Sequence, residues 1–161
     1  VSFVLLLGAP AHAQDDKARA DALYKEGAQL LKDEKLEEAC SKLEESQRLD
    51  PAIGTLGLLA FCREKQGKTA TAWRMYVDAA EMAEEAGQKQ RKRAAEKAAK
   101  RLEATLSKLT IEVKSPLDDL EVRRDGEVIR RPLWGTPMPV DPGKVEVTAW
   151  APGYKAFEKT I

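Results

Sequence analysis

The chain has 161 residues, 27 basic and 27 acidic, and 43% of its residues are apolar. That length and composition suit one or two small globular domains, and the balanced charge argues against a dedicated nucleic-acid binder, which is ordinarily strongly basic. His12 is the only histidine, there is no asparagine, and no apolar run beyond the N-terminus is long enough to read as a transmembrane helix.

Residues 1–13 read as a secretory leader. Val1 to Leu7 is almost wholly apolar, Gly8-Ala9-Pro10 follows, and Ala11-His12-Ala13-Gln14 offers a small-x-small cleavage site after Ala13. The abrupt switch to Asp15-Asp16-Lys17 favours a leader over a buried N-terminal strand. Without an initiator methionine or a basic stretch ahead of it, this leader is expected to be incomplete at its N-terminus. The lack of a cysteine at the cleavage site argues against a lipid anchor.

Removing residues 1–13 would remove His12 and, with it, serine–histidine and cysteine–histidine catalysis. Two cysteines without histidine cannot close a tetrahedral zinc site within one chain. No catalytic centre, metal or cofactor is expected. Export instead allows Cys40 and Cys62 to pair in an oxidising compartment, closing a loop of about 22 residues and contributing roughly 3 kcal/mol. The other reading is two buried thiols acting as small apolar side chains.

Residues 14–108 carry a helical period. Ala22, Leu23, Gly27, Leu30 and Leu31 predict a first helix near 16–33. After a turn at Asp33-Glu34-Lys35, Leu36, Ala39, Cys40, Leu43 and Ser46 predict a second near 36–49, stopped by Pro51. Leu56, Leu59, Ala60 and Arg63 predict a third near 53–66, ended by Gly67. Thr69 is the expected N-cap of a fourth near 70–86, marked by Ala72, Trp73, Tyr76, Ala79 and Ala80 and closed by Gly87.

The two hairpins are copies. Leu23, Gly27, Ala39 and Leu43 recur as Leu56, Ala60, Ala72 and Tyr76, each pair 33 residues apart. A period in this range marks stacked helical units that bury their apolar faces on one another. A fifth helix is predicted from Gln88 to Lys108, on the stripe Ala94, Ala95, Ala98, Ala99, Leu102 and Leu106. It reads as a terminal helix with one polar side or as the start of a degenerate third repeat. Its seven basic residues between Gln88 and Arg101, against Glu96 alone, read as a solvated face rather than an anion-binding patch. No aromatic residue interleaves them to stack on bases, so no nucleic-acid partner is expected.

Gly27, Ala39, Leu43, Ser46 and Pro51 fall at the signature spacings of the tetratricopeptide repeat, and Ala60, Ala72, Tyr76 and Ala79 repeat four of the five. Over roughly 65 residues the chain resembles that family. The resemblance implies a solenoid of antiparallel helical hairpins with a concave face formed by the first helix of each. In that register Tyr24, Ala28, Leu31, Lys32, Phe61, Glu64 and Lys65 are expected to face a groove that takes an extended peptide or a partner helix. Tyr24 and Phe61 would be apolar anchors, and Lys32 and Lys65 would meet acidic groups. An ordinary solvated face is the alternative. Capture of a C-terminal carboxylate by paired asparagines is excluded, because the chain has none.

Residues 109–161 change period. Leu109, Ile111 and Val113 alternate, Pro116 breaks the run, and Leu120 and Val122 alternate again before an Asp125-Gly126 hairpin turn into Val128 and Ile129. Gly135-Thr136-Pro137 is a loop and Asp141-Pro142-Gly143-Lys144 a second turn. Val145, Val147 and Ala149 form another strand, and Tyr154, Ala156 and Phe157 lead into a last one. Five short strands predict a small antiparallel β-sandwich, giving an α-then-β chain of two domains. Trp134 and Trp150 are expected in a core, one of them where the sheet would dock on the last helix. The acidic residues Asp118, Asp119, Asp125 and Asp141 read as turn formers rather than as a carboxylate centre.

Ser115-Pro116, Asp125-Gly126, Gly135-Thr136-Pro137, Gly143 and Pro152-Gly153-Tyr154 occur in the order seen in PEGA-type surface domains, although Leu117-Asp118-Asp119-Leu120 replaces the naming motif. This half resembles that family, which implies an envelope-associated module without known chemistry. The chain reads as stopping inside its last strand, with an anchor or further domains expected to follow. Together the two halves lead to an expected periplasmic or secreted adaptor for a protein or peptide, or else a structural envelope protein held by its β module.

Overall fold

The computed structural model describes residues 11–115 and 117–161, and side chains from Ala13 onward. Chain contacts divide into two units, the first ending at Thr105 and the second running from Leu106 to Ile161. Most of the expected leader lies outside the described residues. Its last residues, Ala11 to Ala13, form the start of the first helix.

The first unit is five helices: α1 (Ala11–Lys32), α2 (Leu36–Leu49), α3 (Ile53–Lys65), α4 (Thr69–Glu85) and α5 (Lys89–Glu103). Each packs on the next, and α3 also touches α1. Three of the connections share one device. Lys35 N–H donates to Leu30 O and Glu34 N–H to Leu31 O, and the same pair of bonds recurs as Lys68 to Arg63 with Gly67 to Glu64, and as Gln88 to Ala83 with Gly87 to Glu84. This pattern satisfies the last carbonyls of a helix and requires one left-handed residue. Gly67 (φ 78°) and Gly87 (φ 67°) supply it without a Cβ penalty, whereas Glu34 (φ 59°) does so as a non-glycine.

Packing explains the small residues. A Cβ on Gly27 would lie 2.8 Å from Leu43 Cγ and 3.2 Å from Ala39 O, so α1 and α2 meet there at a distance that only glycine allows. One turn further along, Ser46 Oγ donates to Ala20 O at 2.8 Å in a buried setting. Ala39, Cys40, Leu43, Leu59 and Cys62 then form a core cluster on which Leu30, Leu31, Leu58 and Met75 pack. The equivalent cluster of the second hairpin contains Ala60, Ala72, Tyr76, Ala99 and Leu102.

Cys40 and Cys62 form a disulfide, with their Cα atoms 5.6 Å apart. It joins α2 to α3, across the junction of the two hairpins. Of the two readings, bridge or buried free thiols, the bridge is the one found.

Two helical expectations need correction. Thr69 is not the cap but the first helical residue, after Lys68 at the N-cap, and no side chain caps that end. The fifth helix ends at Glu103 rather than Lys108. Thr105 turns back there, its N–H and Oγ1 both donating to Leu102 O, and the residues that follow are committed to a strand.

The second unit has two antiparallel sheets. β1 (Ser107–Leu109) pairs with β4 (Met138–Val140), and β3 (Glu127–Val128), β2 (Glu121–Arg124), β5 (Glu146–Trp150) and β6 (Phe157–Thr160) form the other in that order. Among the described residues there are thus six strands rather than five. Ile111 and Val113 lie outside them, because the first strand is shifted to Ser107–Leu109 by its partner, β4, which carries Met138-Pro139-Val140 and shows no alternation. The Asp125-Gly126 turn has φ of 49° and 80°, as a tight β-hairpin of this type needs. Val122 lies opposite Ala149 and Arg124 opposite Val147, so these four share one face of the sheet. Buried Val122, Ile129, Val145, Val147 and Ala151 are the core of this unit.

The tryptophans differ from each other. Trp134 is half-buried, donates Nε1–H to Ile129 O at 2.9 Å and carries the Arg131 guanidinium over its ring at 5.4 Å. Trp150, expected in a core, is 55% exposed. Its strand position faces it opposite Glu121, on the side of the sheet away from Val122 and Val147.

Candidate functional site

The residues expected to line a groove lie on two helices of the first unit. α1 carries Tyr24, Ala28, Leu31 and Lys32, and α3 carries Phe61, Glu64 and Lys65. Tyr24 is 36% exposed and Phe61 40%, both large apolar side chains left at the surface of helices that bury Ala20, Leu56, Leu59 and Ala60. Lys32 is exposed, Ala28 is half-buried, and Leu31 packs against the first core cluster. Lys65 lies one helical turn after Phe61, with its ammonium 5.3 Å from the ring centroid. This covers one face of the ring with a cation.

Glu64 is engaged within the protein. Its carboxylate takes both terminal nitrogens of Arg101 at 2.8 Å, and Tyr76 donates its hydroxyl at 3.4 Å. One glutamate of α3 therefore joins α4 and α5, through the planar fork that suits a carboxylate best. Hydrogen bonding to Arg101 is the main reason its pKa falls below the ordinary 4.5, and burial works in the opposite direction. Arg101 is correspondingly raised, first by its hydrogen bond to Glu64. Burial, followed by the charge of Glu64, pushes Tyr76 up to about 12, so the phenol remains a donor at neutral pH.

The sign of the pH dependence follows. A carboxyl whose pKa is lower in the folded state contributes stability above its unfolded pKa and loses it as the pH falls through the folded one. Glu64→Gln is therefore expected to be less stable than the parent at pH about 6. The gap should close as the pH is lowered towards about 3, measured as urea midpoints at each pH. A gap that does not change with pH would show that the charge of Glu64 contributes nothing.

A feature not anticipated from the sequence lies between α4 and α5. Trp73, Val77 and Ala80 of α4 and Ala99 of α5 line a groove of about 490 Å³, with Glu81, Glu84, Lys92, Glu96, Lys100 and Glu103 around it. Lys92 is held by Glu84 and lies 3.8 Å from Glu96. The signal was present in the repeat: Val77 and Glu96 stand 33 residues after Glu44 and Arg63, which form an ion pair at 2.7 Å.

In the second unit, Trp150, Tyr154 and Phe157 are exposed at 55, 63 and 52%, around the turn that joins β5 to β6. Asp125 Oδ1 accepts from Glu146 N–H at 2.9 Å, a turn-stabilising role. Among the described residues, no group of three or more His, Cys, Asp or Glu is placed to hold a metal ion, and no helix is long and apolar enough to cross a membrane. In comparisons with known proteins, no family model, curated protein or solved structure matches the chain.

Proposed function

We propose that the chain is an exported, non-enzymatic adaptor of the tetratricopeptide type, which binds a protein or peptide in the cell envelope through the α1 and α3 faces. The observation that carries this reading is the exposure of Tyr24 and Phe61 at equivalent sides of the first helix of each hairpin. Exposed aromatic anchors of this kind dominate binding energy at protein interfaces. Lys32 and Lys65 add positive charge beside them, so the ligand is apolar with acidic flanks. Glu64, tied to Arg101, supports the face rather than contacting the ligand. The disulfide supports an oxidising location, periplasmic or secreted.

The test is capture from an envelope extract by the purified chain, with bound proteins identified and then re-assayed singly. Tyr24→Ala/Phe61→Ala is expected to weaken a true ligand by at least about tenfold, since each anchor contributes on the order of 1–2 kcal/mol. Equal capture by parent and variant would end the proposal.

A second reading rests on Trp150, Tyr154 and Phe157. Exposed aromatic rings on the PEGA-like unit suit attachment to an envelope polymer, with the helices acting as a spacer. Retention on purified envelope fractions that is lost in Trp150→Ala/Tyr154→Ala, yet kept in Tyr24→Ala/Phe61→Ala, would favour it.

A further inference from the structure

The α4–α5 seam, where the groove lies, lacks the two links that the α2–α3 seam carries. At the α2–α3 seam, Arg63 reaches Glu44 at 2.7 Å and is itself only 13% exposed, and Cys40 is tied to Cys62. Moved along by 33 residues, Glu44 and Arg63 become Val77 and Glu96, and Cys40 and Cys62 become Trp73 and Ala95. Neither new pair can form the old link. The polar strap and the covalent tie are replaced by an apolar floor of Trp73, Val77, Ala80 and Ala99.

At the first seam a side chain of the following helix reaches the joint. Met75, a helical side chain of α4, packs onto the cluster built by α2 and α3. The position 33 residues after Met75 is Lys108, which is in strand β1. At that point of the repeat the chain is strand and provides no helix. Charge defines the occupant further. Glu81, Glu84, Glu96 and Glu103 surround the groove against Lys92 and Lys100; Lys92 engages Glu84 and Glu96, which leaves Glu81 and Glu103 to meet a ligand.

We propose that the α4–α5 groove is a docking site for a basic amphipathic helix of a partner protein. The apolar stripe of that helix lies on Trp73 and Val77, and its lysines or arginines meet the surrounding carboxylates. None of the residues from Tyr24 to Lys65 lines this groove, so it is a surface separate from the α1–α3 face.

The test uses the whole chain and a fluorescent helical peptide of about 18 residues, with leucines spaced to form one stripe and lysines elsewhere. Anisotropy is expected to show saturable one-to-one binding. Val77→Glu should weaken it by at least about tenfold, the equivalent of about 1.4 kcal/mol, and so should the surface variant Glu81→Lys/Glu103→Lys, with circular dichroism melts confirming that both fold. A peptide with glutamates in place of the lysines should bind at least about tenfold more weakly. Tyr24→Ala/Phe61→Ala should leave binding unchanged, which separates this site from the adaptor face. The proposal is overturned by absence of binding, by equal affinity for the parent and Val77→Glu, or by equal affinity for the two peptides. Sedimentation showing a dimer that Val77→Glu dissociates would also overturn it, by assigning the groove to a second copy.

Discussion

Leu43→Ala is expected to lower the unfolding free energy by about 3–4 kcal/mol, the cost of deleting a fully buried leucine whose surroundings relax only in part. Leu43 is wholly excluded from solvent at the centre of the first cluster. The same position makes a second measurement informative. Gly27→Ala alone should also destabilise, by about 1 kcal/mol. Its new methyl would collide with Leu43 Cγ, and the cost of overpacking exceeds the gain of alanine over glycine in a helix. In the double variant the leucine is gone and the methyl has space. The combined loss should therefore be smaller than the sum of the single losses, by roughly 1 kcal/mol or more. Urea unfolding of the four proteins in the cycle checks both numbers. Simple additivity would mean that α1 and α2 do not meet at that contact.

Cys40→Ala/Cys62→Ala is expected to cost about 3 kcal/mol by releasing the closed loop in the unfolded chain. For a helical unit of this size that corresponds to a fall in Tm of roughly 12–24 °C, read from thermal melts. Both cysteines are fully buried, so the loss includes some packing, and alanine keeps that part small. The cysteines both lie in the helical unit, so the fall is read on the helical transition.

The helices were legible wherever period and punctuation agreed. α2 and α3 were marked by apolar stripes and by Pro51 and Gly67, and their ends fall within a residue of expectation. The disulfide was legible as a candidate because Cys40 follows the second-helix alanine and Cys62 the next first-helix alanine. The end of α5 was not, because Leu106 continues the helical stripe while also fitting the approach to a strand. β4 was hidden by Pro139 and by its short length, and β1 could be placed only with its partner. Trp150 was misjudged because strand alternation does not say which face is buried. The position of Trp150 opposite Glu121, on the side opposite Val122, decides it.

The expected groove residues show a different limit. The family register placed Tyr24, Phe61, Glu64 and Lys65 on a groove, but it could not show that Glu64 would be held by Arg101, 37 residues away. Long-range charge pairing leaves no periodic trace. Nor did composition reveal the α4–α5 groove. It becomes visible only when the two seams are compared position by position.

The placement of the covalent bond has a mechanical consequence. A load applied along the helical stack cannot part α2 from α3, because the joint between them is bonded, and so the first two hairpins flex as one stiff block. The joint between α4 and α5 has no covalent tie and is held by packing of Tyr76 with Ala99 and Leu102 and by the ion pair of Lys92 with Glu84. The last joint is held by packing and charge alone, so a ligand lying in the glutamate-edged groove would act there as a splint.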